Sequence, residues 1–304
     1  MNQQKIESMI RTNLYITGMA GITKEEPDYK NYIPDAGLRR RMSRVIRMSV
    51  ASALMALEDS GSGEIDAIVT GTGWGCLADT EKFLISILDN SERLLNPSSF
   101  IQSTSNTIGA QIALMLEDKH YNNTYVHGGS SFESALLDAS LLISEGRRRV
   151  LAGGFDELTP TKSHLLERMG MWKKYICGEG SHFFVLQGEK GERTHGRLSA
   201  LDILPLGIDE SDALARFDLF LRESGADKGS FEILCGDHLL CYLLSRKGYK
   251  TTDYKHKCGE YPTASACAMQ QAFRILSEKT APERIVIVNK YLYDVFTFML
   301  IEKV

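Results

Sequence analysis

The sequence has no apolar run of the length that a membrane-spanning helix needs. Such a helix takes roughly 18 or more consecutive apolar residues, and polar or charged residues interrupt every apolar stretch of the 304 residues. The first residues, MNQQKIESMIRTN, also lack the basic and then apolar order of a secretory signal peptide. We therefore expect a cytoplasmic protein without a membrane span.

Cysteine, proline and excess positive charge are scarce as well. Six irregularly spaced cysteines in a chain of this length indicate free thiols in a reducing compartment rather than a disulfide framework. The 35 lysines and arginines are outnumbered by 39 acidic residues, so the formal net charge is −4. Without a positive field to attract a phosphate backbone, we expect no nucleic-acid partner.

Short β-branched or aromatic runs alternate with longer amphipathic segments along the whole chain, which predicts an α/β fold. Strands are predicted at residues 14–17, 65–70, 124–126, 150–152, 182–187, 197–204, 232–234, 285–288 and 295–302. Apolar stripes of helical period predict helices at 42–58, 79–88, 107–116, 131–143, 212–221, 239–245 and 264–277. No proline-rich or Gly/Ser-rich linker divides the chain, and each half could end in a strand pair, which hints at an internal duplication.

A strand, a run of small residues and an apolar-striped helix follow one another from Thr124 to Leu142. The helix is entered through Gly128, Gly129, Ser130 and Ser131. Its first N–H groups and the positive end of its dipole are therefore suited to an anion, an oxyanion or a thioester carbonyl. A glycine turn followed by a serine N-cap is the alternative interpretation of the same residues.

Four more glycine-containing segments surround this one. They are Gly71-Thr-Gly-Trp-Gly75, Asn106-Thr-Ile-Gly-Ala-Gln-Ile-Ala113, Gly146-Arg-Arg-Arg-Val-Leu-Ala-Gly-Gly154 and Gly178-Glu-Gly-Ser181. In order and spacing, from about residue 14 to about residue 190, the segments resemble the β-ketoacyl synthases of the thiolase superfamily. The resemblance implies a thiolase-like, five-layered αβαβα fold built from two pseudo-equivalent halves. It places an N-terminal ketosynthase-like half at 1–190 and a shortened C-terminal half at 191–304.

The resemblance also implies a catalytic apparatus, which this sequence departs from at several positions. The family's nucleophilic Cys corresponds to Gly129, and its two His residues correspond to Cys235 and Glu260. In the segment around position 260, Lys255 and Gly259 match the family's Lys and Gly. The family's glycine-rich loop, which completes the oxyanion hole, is replaced by residues 289–295, including Tyr291. A carboxylate at position 260 would repel the enolate that a neutral imidazole stabilises.

These departures resemble the non-catalytic chain-length factors of bacterial polyketide systems and the ketosynthase-like proteins of aryl polyene and flexirubin pathways. The resemblance implies a partner subunit that pairs with an active ketosynthase through strand 124–126 and the following helix. A homodimer through the same region is the alternative. Substrates would arrive on the phosphopantetheine arm of an acyl carrier protein, with no cofactor of the chain's own. Substrate contacts are expected at Gly128, Ser131, Phe132, Thr107 and Tyr291.

Two arginine clusters have alternative interpretations. Arg39, Arg40 and Arg41 could dock an acidic carrier protein or its phosphate, or form a solvated face. Residues 147–149 are better explained as charge compensation at a helix C-terminus.

Two further hypotheses compete with a non-catalytic subunit. Ser130 could be the nucleophile of an atypical acyltransferase or thioesterase with His127 as its base, or the chain could be a pure acyl-binding module. Separately, Cys235, His238 and Cys241 have a spacing that zinc could use. The segment falls on a predicted helix and lacks paired C-x2-C knuckles, so we expect no metal.

Overall fold

The computed structural model of the protein describes residues 9–173, 176–227, 230–292 and 295–304. The strands are β1 (Ile10–Ile22), β2 (Ala67–Gly71), β3 (Tyr121–Tyr125), β4 (Arg149–Asp156), β5 (Gly180–Gln187), β6 (Gly196–Ile203), β7 (Phe231–Cys235), β8 (Thr251–Asp253), β9 (Arg284–Lys290) and β10 (Phe296–Glu302). The helices are α1 (Ala36–Arg41), α2 (Arg44–Ser60), α3 (Leu77–Asp89), α4 (Pro97–Ser103), α5 (Thr107–Leu116), α6 (Ser131–Ser144), α7 (Pro160–Arg168), α8 (Glu210–Ser224), α9 (His238–Arg246), α10 (Lys255–Cys258) and α11 (Ala264–Leu276). Among the described residues, no helix is long and apolar enough to cross a membrane.

The strand order repeats between the two halves of the chain. The full order is β3-β2-β4-β5-β1-β6-β10-β9-β7-β8. In the first half, β2 pairs in parallel with β3 and β4, and β5 runs antiparallel to β4 and β1. In the second half, β7 pairs in parallel with β8 and β9, and β10 runs antiparallel to β9 and β6. The two first strands, β1 and β6, meet in antiparallel orientation. The duplication that the sequence hints at is therefore present in the topology. The predicted boundary between residues 190 and 191 falls in the loop between β5 and β6 and stays a prediction.

Two helices form the central layer of the fold. Helix α6 contacts β2 and β4 of the first half and β6 of the second, and α11 contacts β5 as well as β9 and β10. Helices α2 and α5 cover the outside of the first half, and α8 and α9 cover the second. The main core cluster surrounds α6 and α11 and includes side chains from both halves. This arrangement confirms the five-layered α/β fold.

The elements that the sequence does not predict are short. Strand β8 has three residues and lies at the outer edge of the sheet, so it has no alternating pattern long enough to recognise. Helices α1, α4, α7 and α10 have four to nine residues. Strand β3 begins three residues before its predicted start, at Tyr121, and contains two asparagines, Asn122 and Asn123, that are atypical of strands.

Candidate functional site

The turn before α6 is held against the end of β2. Gly128 has φ +57°, in the left-handed region that favours glycine, and residues 128–130 form a single 3-10 turn. The Ser131 hydroxyl lies 2.9 Å from the Thr72 carbonyl oxygen and 2.8 Å from that of Gly128. It also accepts a hydrogen bond from the His127 backbone N–H at 2.9 Å. Ser131 therefore positions the turn. Gly129, the residue predicted to stand at the family's nucleophile position, is buried and has no side chain.

Ser130 and His127 do not form a nucleophile–base pair in this arrangement. The Ser130 hydroxyl donates to the backbone carbonyl of His127 at 3.1 Å. The imidazole of His127 is directed to another residue, with Nδ1 2.9 Å from the Ser134 hydroxyl. This geometry argues against the acyltransferase hypothesis. Ser130 occupies the N-cap position of α6, but its side chain makes no capping hydrogen bond to that helix.

Lys255 and Glu260 form a buried ion pair. The Lys255 Nζ lies 2.8 and 2.9 Å from the two Glu260 carboxylate oxygens, and it also donates to the Lys290 carbonyl at 2.6 Å. Burial raises the pKa of the Glu260 carboxyl, and the Lys255 ammonium opposes that rise. The Glu260 backbone is held as well, because its N–H donates to the Ile176 carbonyl at 2.6 Å.

The segment that is predicted to replace the family's glycine-rich loop contacts two other parts of the site. The Tyr291 ring packs edge-on against Trp74, with centroids 6.2 Å apart. Asn289 accepts a hydrogen bond from the buried Tyr254 hydroxyl at 2.6 Å. Tyr293 and Asp294, which belong to the same predicted segment, lie outside the described residues.

Asp156, two residues after the Gly146–Gly154 segment, connects the Gly71–Gly75 segment to Thr263 and was not predicted as a site residue. One of its oxygens accepts hydrogen bonds from the Thr72 hydroxyl and from the N–H groups of Gly73 and Trp74, at 2.7–3.0 Å. The other accepts from the Thr263 N–H and hydroxyl at 2.8 and 2.7 Å. Burial raises the pKa of Asp156 to about 6, although the hydrogen bonds lower it. The signal available in the sequence was an acid directly after the Ala152-Gly-Gly-Phe155 run. This acid ends a strand that is buried from Val150 onward.

Cys235 lies beneath the site rather than in it. The side chain is 1% exposed and its thiol donates to the Asp237 carbonyl at 3.4 Å. Burial raises the pKa of this thiol, and a hydrogen bond with Cys235 lowers the pKa of Cys241 to about 6. His238 faces Asp253 across 3.8 Å. Within the described ranges, no three His, Cys, Asp or Glu side chains are grouped so that they could hold a metal ion.

A cavity of about 130 Å³ lies beside the Lys255–Glu260 ion pair. Its lining includes Gly236, His238, Asp253, Lys255 and Glu260. A larger, open depression of about 800 Å³ lies elsewhere, between the Arg147–Arg149 segment and Glu64, and contains none of the predicted catalytic or substrate-binding residues. The smaller cavity is therefore the candidate site.

The remaining predicted site residues make local contacts. The Phe132 side chain has no exposed surface and packs against Phe184 in the core, with ring centroids 5.7 Å apart. The Thr107 hydroxyl donates to the Ile101 carbonyl at 2.7 Å, at the junction of α4 and α5. These contacts explain both residues by packing and by capping, and their predicted substrate contacts stay predictions.

The three arginines of α1 differ in what they contact. The Arg39 guanidinium donates to the Ile33 and Pro34 carbonyls, and Arg40 donates to the Ala36 carbonyl at 3.2 Å. Arg41 is exposed at the end of the helix. Arg41 is consequently the best placed of the three for an external partner.

Comparison with known proteins gives a match to one family model. Residues 22–170 match the family model described as the N-terminal domain of beta-ketoacyl synthase. No curated protein matches the chain.

Solved structures match the chain over almost its whole length. One is the AntDE:AntF complex, a type II polyketide acyl carrier protein with its ketosynthase bound to a hexaketide; the TM-score is 0.81 and the identity 16%, over 97% of this chain and 100% of that one. The ishigamide ketosynthase/chain length factor matches with TM-score 0.76 and 16% identity, over 96% and 99%. The ketosynthase ApeO with its chain length factor ApeC, from Xenorhabdus doucetiae, matches with TM-score 0.74 and 14% identity, over 96% and 98%. At these identities the likeness establishes the fold.

Proposed function

Because the chain is a divergent ketosynthase-like protein of the thiolase fold, we propose that it is a non-catalytic, chain-length-factor-type subunit of acyl or polyketide chain elongation. It pairs with a Cys-bearing ketosynthase and does not itself form the carbon–carbon bond. The observation that carries this proposal is the Lys255–Glu260 ion pair at the second histidine position.

The ion pair cannot replace a neutral imidazole as a hydrogen-bond donor to the substrate. An ionised carboxylate only accepts hydrogen bonds, and both Glu260 oxygens already accept from Lys255. The Lys255 ammonium is in turn directed at Glu260 and at the Lys290 carbonyl, so its positive charge is matched inside the protein. Neither side chain is arranged to donate to the oxygen of a thioester whose carbonyl is gaining negative charge.

The other two altered positions support the same conclusion. Gly129 has no side chain to accept an acyl group, although the α6 N-terminus keeps the turn geometry around it. Cys235 is buried and donates to a backbone carbonyl, and burial raises the pKa of its thiol. A thiol that stays protonated is a poor nucleophile.

The partner would bind at the outer edge of β3. This strand ends the sheet on the side of the first half, and an unpaired strand edge can continue into the sheet of a second chain. Exposed apolar side chains lie on or beside it, with Tyr121 38%, Val126 51% and Leu114 of α5 73% exposed. In the ishigamide and ApeO–ApeC structures, a ketosynthase is found with a chain length factor.

The acyl carrier protein would approach through α1. Arg41 and Arg40 offer an exposed positive surface that suits an acidic partner or a phosphate group. Arg41→Glu should then weaken carrier-protein binding, whereas Arg147→Glu, in a remote arginine cluster, should not.

Co-expression with a Cys-bearing ketosynthase from the same pathway tests the proposal. We expect a stable complex that elongates acyl chains, while this chain alone gives neither condensation nor a covalent adduct in an intact-mass measurement with acyl thioesters. Condensation by the purified chain alone would contradict the proposal. An adduct lost in Ser130→Ala would instead support the acyltransferase, and tight acyl binding without a protein partner would support the binding module.

A further inference from the structure

A second cavity, of about 260 Å³, is lined by two cysteines and a histidine that the proposed function does not use. Cys258 of α10, Cys267 of α11 and His182 of β5 all contribute to its wall. Their side chains are almost entirely buried, at 3%, 6% and 1% exposure. None of the three lines the 130 Å³ cavity that contains Lys255 and Glu260.

The two thiols differ in their surroundings. Cys267 Sγ accepts a hydrogen bond from the Gln271 side-chain amide at 3.3 Å. The Cys258 thiol donates to the Gly259 carbonyl at 3.4 Å. The neighbouring Cys258 lowers the pKa of the Cys267 thiol, and nearby His182 lowers it further. The neighbouring Cys267 and burial raise the pKa of Cys258. Cys267 is therefore the more nucleophilic member of the pair, because the thiolate is the reactive form.

His182 is held in a defined orientation beside this pair. We orient the Gln270 amide so that its nitrogen donates to His182 Nδ1 at 3.1 Å, while its oxygen accepts from the Gly21 N–H at 3.1 Å. With Nδ1 accepting, Nε2 carries the proton of the neutral ring. A Cβ atom on Gly21 would lie 2.0 Å from His182 Nδ1. Only glycine at position 21 leaves room for the ring.

We propose that Cys267 and Cys258 form a reactive dithiol site for small anionic disulfides of the glutathione type. The Cys267 thiolate attacks one sulfur of the disulfide, and the S–S bond breaks as the first small thiol leaves with a proton. Cys258 then loses its proton and attacks the mixed disulfide at Cys267, which releases the second small thiol. The protein gains a Cys258–Cys267 disulfide, and the small disulfide is reduced to two thiols.

The cavity wall favours a negatively charged reagent. Lys257 and Arg274 line it together with a single carboxylate, that of Glu278. Carboxylates of a peptide-like thiol can pair with such cations.

Disulfide formation would also affect the candidate site. The 258–267 ring would enclose Glu260, the partner of Lys255, and Thr263, the partner of Asp156. The site therefore couples thiol chemistry to the geometry of the first cavity.

Treatment of the native protein with oxidised glutathione, followed by alkylation and peptide mass analysis, tests this proposal. In wild type we expect the cross-linked Cys258–Cys267 peptides. Cys258→Ser should stop at one glutathionyl group on Cys267, and Cys267→Ser should leave Cys258 unmodified. Circular dichroism of each variant checks that it is folded.

Cys177 provides the internal control, because it is an exposed thiol in the same chain. If exposure alone governed the chemistry, Cys177 would react and Cys267 would not. That outcome in wild type would overturn the proposal without any variant. A mixed disulfide that persists on Cys267 in wild type would likewise exclude Cys258 as the second nucleophile.

Discussion

The Lys255 ammonium contacts both carboxylate oxygens of Glu260 in a place where their side chains are only 8% and 1% exposed. Taking two charges out of water is costly, and their attraction offsets this cost only when the geometry is good and further hydrogen bonds are present. Here the Lys290 carbonyl supplies one more. The pair is therefore a structural element of the site, and each charge depends on the other.

Removal of one partner should destabilise the protein strongly. Glu260→Gln leaves the Lys255 ammonium buried without its counter-charge, and we expect a loss of about 3–5 kcal/mol in the free energy of unfolding. Urea unfolding measures it. Glu232→Gln, which breaks the more exposed Lys250–Glu232 pair, is the matched control and should cost less than about 1 kcal/mol.

The double variant Lys255→Met/Glu260→Leu separates pairing from packing. Replacing both charges by apolar groups of similar size removes the need for pairing, so stability should return close to that of wild type. A double variant as unstable as Glu260→Gln would show that side-chain shape, rather than charge, determines the loss.

Asp156 should be sensitive to the smallest change of its side chain. It accepts five hydrogen bonds from Thr72, Gly73, Trp74 and Thr263. In Asp156→Asn, the amide NH2 group would face N–H or O–H donors, and we expect a loss of about 1–3 kcal/mol. Displacement of residues 72–74 should change the fluorescence of Trp74, which is measured in a Trp172→Phe background.

The control for Asp156 lies at the other end of the same strands. Asp66 accepts from the N–H groups of Arg148 and Arg149 but is only half-buried. Asp66→Asn should cost about 0.5 kcal/mol, as for most surface substitutions. Equal losses from the two substitutions would contradict the special role of Asp156.

Much of the fold could be predicted because its signals are local. The apolar stripes of α5 and α6 give their bounds to within one residue, and β5 and β10 each contain a run of four apolar residues, Phe183–Leu186 and Phe298–Ile301. Helix α10 has four residues and is defined by tertiary contacts, with Lys255 directed at Glu260. No pattern within a segment of that length could predict it.

The candidate site could be predicted only in part. The assignments of Gly129 and Glu260 to the family's catalytic positions come from motif order and stay predictions. Whether Glu260 is paired or free depends on the approach of α10 to its neighbours, and this information is not local in sequence. The same holds for the five donors around Asp156, which come from two segments far apart in the chain, residues 72–74 and Thr263.

Glu133 should make stability depend on pH. This side chain of α6 is fully buried and accepts from the Thr297 hydroxyl at 2.7 Å. Burial raises the pKa of its carboxyl above 4.5, the ordinary value. The stability linked to its protonation is present below pH 4.5 and is lost as the pH rises through the raised pKa. Glu133→Gln should therefore gain stability relative to wild type over that interval, as measured by urea unfolding at several pH values.

Glu302 provides a control of opposite sign. Its pKa is lowered, because the charges and hydrogen bonds of Arg197 and Arg284 outweigh the effect of burial. Its contribution is present above pH 4.5 and lost as the pH falls through the lowered pKa. Glu302→Gln should therefore be less stable than wild type at neutral pH, and the difference should shrink in acid. The same trend in both variants would contradict the assignment for Glu133.

A charge beside β3 should prevent the proposed pairing with a ketosynthase without unfolding the chain. Val126 directly follows the strand and is 51% exposed, so Val126→Asp alters little of the core. Burial of that carboxylate at an interface would leave it without water or a counter-charge, at a cost of several kcal/mol. We expect at least a tenfold weaker complex in a co-purification titration, since about 1.4 kcal/mol corresponds to tenfold in affinity. Leu239→Asp, at a leucine of α9 with 50% exposure, should leave the complex intact, whereas equal weakening by both variants would place the interface elsewhere.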